Sequence, residues 1–152
     1  MKLKNIDWNK KLLVFFGDEV IKMKGKMLSK GPIVIFPEHM ICHPWGHIDY
    51  IEKVTQIISK DNRKITLITN SSYIIDHLSN LMKGARIEAD SCFTKCGNKN
   101  AYIHRKDVGV YVCTNGKIKN ALSKEAEIVN WKNLSEPVEW LTNIYFEMSD
   151  KE

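Results

Sequence analysis

The sequence predicts an α/β fold: a short, mostly parallel sheet flanked by helices, with a C-terminal β-hairpin and a closing helix. Three observations predict it. Two uncharged apolar runs, Ile33-Val34-Ile35-Phe36 and Ile65-Thr66-Leu67-Ile68-Thr69, start 32 residues apart with helical periodicity between them, the spacing of a strand-helix-strand crossover. A third run, Val108-Gly109-Val110-Tyr111-Val112-Cys113, precedes Asn115-Gly116, the dipeptide favoured in a two-residue type I′ turn, and Lys117-Ile118-Lys119 returns from it. The stretches around these runs repeat their apolar residues every three or four positions, as helices do.

In chain order, Leu12, Leu13, Phe16, Val20, Met23 and Met27 predict an amphipathic helix over Trp8 to Leu28, strained at Gly17 and stopped by Lys30-Gly31-Pro32. The run Ile33 to Phe36 reads as a short strand buried on both faces, and Pro37 ends it. A second helix follows from about Trp45 to Ser59, with Tyr50, Ile51, Val54, Ile57 and Ile58 inward, and Asp61 to Lys64 form its turn. After the strand Ile65 to Thr69, Asn70-Ser71-Ser72 can cap a third helix, Tyr73 to Met82, that buries Ile74, Ile75, Leu78 and Leu81. Residues 84–106, rich in Lys, Asn and Gly, read as a long loop. The last helix spans Leu134 to Met148, with Pro137 tolerated in its first turn.

The chain has 152 residues, of which 43% are hydrophobic, so residues 1–152 fit a single domain. No window approaches the roughly 20 uncharged apolar residues of a bilayer span, and the N-terminus has no secretory pattern. A cytoplasmic location is expected, without membrane partners. There the four cysteines, Cys42, Cys92, Cys96 and Cys113, are reduced thiols or metal ligands. The net charge of +5 comes from 20 Lys and 3 Arg among the basic residues. Lys is a hydrated point charge without the planar fork that reads guanine, so sequence-specific DNA reading is not suggested. The bias to Ile and Asn over Ala fits AT-rich codons, as in many phages and low-GC bacteria.

Familiar catalytic motifs are missing: there is no G-x-S-x-G, H-E-x-x-H or G-x-G-x-x-G. Gly25-Lys26 lacks both the first Gly and the Ser/Thr of a phosphate-binding loop, since Val20 and Met27 stand there. The richest cluster is Glu38 to His47, where His39, His43 and His47 recur every four residues beside Glu38 and Cys42, all types that bind zinc. Pro44 opposes the continuous helix that would align them, and the alternative is that they are loop and helix-start residues. Cys92 and Cys96 could form half of a structural zinc site completed by His104 or Cys113, or be two reduced thiols near the core.

Two segments together resemble a known family. Ile33-Val34-Ile35-Phe36-Pro37-Glu38, followed by His43-Pro44-Trp45 and a helix, is similar to the Walker B region of ABC/SMC-type ATPases, especially the OLD-family branch that includes phage-defence ATPases. There a hydrophobic strand ends in Asp-Glu-Pro-Glu and a Leu-His-Pro follows. Leu67 to Asp76 resembles that family's next strand, ending in Thr-Thr-His-Ser-Pro, and the helix after it. The resemblance covers about residues 10–148 and implies a partial P-loop-ATPase-like lobe. It places Ile35 and Phe36 where the family carries the magnesium-binding Asp and the Glu that orients water, matches Glu38 to the second Glu, and puts Asn70, followed by Ser71, at the switch His. Apolar side chains cannot ligate magnesium or act as a base, and Walker A and the signature motif have no counterpart. The resemblance therefore implies a degenerate lobe that does not hydrolyse ATP alone, because phosphoryl transfer depends on these parts.

Four readings follow. The leading one is a non-catalytic protein, without cofactor, that serves as a regulator, decoy or accessory subunit by binding a protein such as a complete ABC/SMC-like ATPase in phage–host conflict. The second is a small basic nucleic-acid-binding module using Lys60 to Lys64, Lys95 to Lys99 and His104-Arg105-Lys106, with Trp8, Trp45, Trp131 or Trp140 for stacking. The third is a zinc-stapled interaction domain. The fourth is an enzyme with an unrecognised site.

Overall fold

The computed structural model describes residues 5–17, 32–36, 43–89, 98–114 and 116–123. Their elements run β1 (Leu12–Phe16), β2 (Ile33–Ile35), α1 (Pro44–Asp61), β3 (Ile65–Thr69), α2 (Ser72–Ala89), β4 (Val108–Thr114) and β5 (Lys117–Asn120), with single 3₁₀ turns at Lys99–Ala101 and Arg105–Asp107. The five strands form one sheet in the order β2-β3-β1-β4-β5. The first four are parallel, and β5 returns antiparallel beside β4. This is the α/β architecture expected from the sequence, hairpin included. The closing helix expected over 134–148 lies outside the described residues.

The first element departs from expectation. Leu12-Leu13-Val14-Phe15-Phe16 is not the start of an amphipathic helix but the central strand, with Leu12 beside both Ile65 and Val108. Five apolar residues in succession leave no polar stripe for a helix to expose, whereas a strand buried on both faces needs such a run. Leu12 and Val14 face the larger core, and Leu13 and Phe15 the smaller one on the other face. The remainder of that expected helix, residues 18–28, lies outside the described residues. β2 also differs: it pairs only with β3 among the described strands, and its residues are half-buried or exposed, Ile35 by 39%. The strand buried throughout is β3.

Both helices pack against the larger face of the sheet and against each other. α1 buries His47, Ile51, Val54, Thr55 and Ile58, so its inward stripe is turned from the expected one: Ile57 is exposed and Thr55 takes the place it leaves, satisfying its hydroxyl on the Ile51 and Glu52 carbonyls. Asn62, in left-handed geometry, ends α1 as a short polar residue can. α2 buries Ile74, Ile75, Leu78 and Leu81 as expected, yet runs beyond Met82 to Ala89. Residues 84–89, expected as the start of a long loop, are therefore helical. Gly84 within α2 lets the Tyr102 ring lie against the helix backbone, since a Cβ there would sit 2.6 Å from ring carbons. Thr114 pairs with Lys117 across the expected hairpin, and Gly116 has φ +70°.

Candidate functional site at the carboxyl ends of the strands

Parallel strands bring all their carboxyl ends to one rim, and open α/β sheets bind ligands there, where successive connections part in opposite directions. In this sheet the chain leaves β1 toward β2 and leaves β3 toward β4, so the reversal falls between the neighbouring ends of β1 and β3. Two residues meet at that point. The Asn70 side-chain oxygen accepts the Gly17 N–H at 3.1 Å and ties the two strand ends together. Gly17 has φ +121°, and a Cβ on it would lie 2.5 Å from the Cys113 carbonyl oxygen of β4, so no other residue fits without displacing backbone.

The rest of the rim is built from caps. The Ser71 backbone N–H donates to Thr69 Oγ1 at 2.9 Å, and Ser71 Oγ accepts the Ile74 N–H at 3.3 Å, the bond of a helix N-cap. The same hydroxyl lies 2.5 Å from His47 Nδ1, with both residues buried. His47 comes from the first turn of α1, so this pair locks the start of one helix to the start of the next. The His43 ring performs the corresponding task at the head of α1, accepting the Trp45 N–H at 3.3 Å through Nδ1. Pro44 occupies the first helical position, where a missing N–H costs nothing.

Phe36 fills the corner beside β2. It is 3% exposed, its ring meets those of His47 and Tyr50 edge-on at 4.7 and 4.8 Å, and its N–H donates to the Ile68 carbonyl at 2.9 Å. Burial holds the Tyr50 phenol above its ordinary pKa, which keeps it protonated in this apolar corner. The Tyr73 ring stands edge-on to His47 at 5.8 Å and remains 49% exposed. Trp45 is 68% exposed. An aromatic cluster thus runs from buried Phe36 through His47 to the exposed Tyr73 ring at the head of α2, while Trp45 stands exposed at the head of α1.

The rim assembles the residues of the sequence-derived site unevenly. His47, Asn70 and Ser71 are joined to neighbouring elements by hydrogen bonds, Phe36 is core, and Ile35, His43 and Trp45 face outward. Pro37, Glu38, His39, Cys42, Cys92 and Cys96 lie outside the described residues. His104 is exposed before the second 3₁₀ turn, while Cys113 is buried in the smaller core with Phe15, Ile68 and Tyr111. Among the described residues no group of three His, Cys, Asp or Glu side chains is placed to hold a metal, and no helix is long and apolar enough to cross a membrane. The sequence reading missed Gly17 and Thr69 as parts of the rim. The signal for Gly17 was present, since a Gly directly after an unbroken apolar run marks a strand end.

Comparison of the chain with family models, with curated proteins and with solved structures finds no match in any of the three.

Proposed function

We propose that this protein is a non-catalytic, ATPase-lobe-like protein that works by protein–protein binding through the carboxyl-end rim, as a regulator, decoy or accessory subunit. The observation that carries the reading is the contrast between Phe36 and Trp45. At the position where the resemblance places a catalytic carboxylate, Phe36 is buried under His47 and Tyr50, while nearby along the chain an indole is largely exposed. An apolar corner offers magnesium no ligand and water no base. Exposed aromatic rings, in contrast, are the side chains that most often anchor protein interfaces, because they bury much area at little entropic cost. The Asn70 amide supports the same reading, since at the switch position it bonds to Gly17 and carries no charge toward a phosphate. A complete ABC/SMC-type ATPase is the partner class that the resemblance favours, because such lobes act in pairs.

The test has two arms. Purified protein should neither hydrolyse ATP nor bind magnesium-ATP in calorimetry, and proteins captured by the wild type should be lost when Trp45→Ala and Tyr73→Ala are combined in a variant whose circular dichroism is unchanged. Magnesium-ATP binding at micromolar concentration, or undiminished capture by the double variant, defeats the proposal.

A further inference from the structure

The opposite end of the sheet carries a second site. A cavity of about 260 Å³ opens at the amino ends of β1 and β4, lined by Lys10, Arg105, Lys106, Tyr111 and Asn120 with Asp7 at its side. The fold brings these together because Lys10 precedes β1, the 3₁₀ turn Arg105–Asp107 precedes β4, and the two strands are parallel neighbours that start level, Leu12 beside Val108. Gly109 keeps the floor open: a Cβ there would meet the Leu13 and Tyr111 side chains at 3.0 Å and Lys10 at 3.5 Å.

The polar groups at this end are incompletely matched. One Arg105 terminal nitrogen donates to the Ser123 carbonyl, but its Nε–H is buried without an acceptor among the described residues. Leaving a donor of a charged group buried and unmet is costly unless something else supplies the acceptor. Lys10 Nζ donates to the Lys106 carbonyl at 2.7 Å and lies 3.6 Å from the Asp7 carboxylate. The Lys106 side chain is exposed at the mouth. Tyr111 OH accepts the Asp7 N–H at 2.9 Å, which leaves its own proton to donate. Burial, with the Asp7 charge adding to it, holds that phenol above its ordinary pKa against the opposing Asp7 N–H bond, so the proton stays in place. Asp107, the carboxylate of the 3₁₀ turn, is turned to Lys11 at 3.8 Å.

Three cations around one carboxylate leave a surplus of two positive charges in the cavity. A phosphate monoester carries roughly two negative charges near pH 7, with three acceptor oxygens. An arginine fork flanked by lysines is the donor set that such a group takes. The cavity is close to the lower end of ligand-pocket sizes, roughly 300 Å³, and so fits a small phosphorylated molecule. We infer that the Lys10–Arg105–Lys106 pocket is an anion site that binds the phosphate group of a small phosphorylated ligand. The site is independent of the carboxyl-end rim, and its test does not depend on what that rim binds.

Inorganic phosphate and ribose 5-phosphate serve as probes, titrated into the full chain at constant ionic strength and followed by calorimetry and backbone amide NMR. Saturable one-to-one binding is expected, with shifts concentrated at Lys106, Gly109 and Asn120. Arg105→Lys keeps the charge and removes Nε–H and the fork, and should weaken binding about tenfold or more, the effect of one charge-assisted hydrogen bond. Lys106→Gln, exposed and safe for folding, should weaken it about fivefold, with Lys60→Gln as an unchanged control. The inference is overturned if neither probe saturates, if Lys106→Gln binds as the wild type does, or if acetate shifts the same amides equally. It is likewise overturned if a single-stranded oligonucleotide binds with steep salt dependence while both small probes fail, which would make this end a nucleic-acid surface.

Discussion

The two ends of the parallel sheet use their polar residues in opposite ways. At the carboxyl ends, side chains are turned to one another and to the backbone: Asn70 to Gly17, Ser71 to His47 and Ile74, Thr69 to Ser71, His43 to Trp45. At the amino ends, charged groups crowd a cavity and one buried donor, Arg105 Nε, has no acceptor among the described residues. The lesson concerns where binding capacity lies. A rim whose hydrogen bonds close internally offers shape and exposed rings to a partner, whereas an end with unmet donors and surplus charge offers recognition of an anion.

If the carboxyl rim is built by such mutual bonds, it should be intolerant of change, and Gly17→Ala should show the largest effect. The substitution forces an L side chain to φ +121° and sets its Cβ 2.5 Å from the Cys113 carbonyl. A loss of about 2–4 kcal/mol in urea unfolding is expected, from backbone strain and displaced backbone together. A loss below about 1 kcal/mol would break the comparison, because β1, β3 and β4 would then meet loosely at this point.

Ser71→Ala should come next. It removes the cap of α2 and strips buried His47 of the hydroxyl beside its Nδ1, for an expected cost of about 1–3 kcal/mol. Ser71→Thr keeps the hydroxyl and should recover most of the loss. Equal losses for the two variants, measured by chemical denaturation, would show that shape rather than hydrogen bonding holds the rim.

How much of this was legible follows from what pattern encodes. The α/β class, the hairpin and the buried face of α2 could be read because each depends on local periodicity or turn chemistry: Ile74, Ile75, Leu78 and Leu81 repeat at helical spacing, and Asn115-Gly116 has few other uses. The identity of β1 was not read, because Leu12, Leu13 and Phe16 satisfy a helical template while the same residues with Val14 and Phe15 also form a continuous strand. Tertiary context decided between them, with β3 and β4 pairing to both edges of the segment. Strand order was equally hidden, since nothing in Ile33 to Ile35 distinguishes an edge strand from a central one. Of the carboxyl rim, Asn70, Ser71 and His47 were singled out from the sequence, but their partners were not. The amino-end cavity was visible only as the basic triplet His104-Arg105-Lys106. Its other half, Lys10, is nearly a hundred residues away and joins it through strand pairing.

The smallest expected effect on stability, Lys106→Gln, sharpens the comparison most. Lys106 is exposed, and the contact that involves it in folding is through its backbone carbonyl, which Lys10 holds at 2.7 Å and which Gln retains. In phosphate-free buffer the variant should therefore unfold within about 0.5 kcal/mol of the wild type. It should also relieve part of the mutual repulsion among Lys10, Arg105 and Lys106, so any change is expected toward greater stability. Adding phosphate separates the two proteins. At ten times its dissociation constant a ligand that binds only the folded state stabilises by about 1.4 kcal/mol, and at that same concentration the weakened variant should gain roughly half as much. A loss above about 1 kcal/mol without phosphate would mean that the amino-end charges hold the fold together as the carboxyl-end bonds do, and the difference between the two ends would disappear. Equal gains in phosphate would place the stabilising ion elsewhere on the molecule.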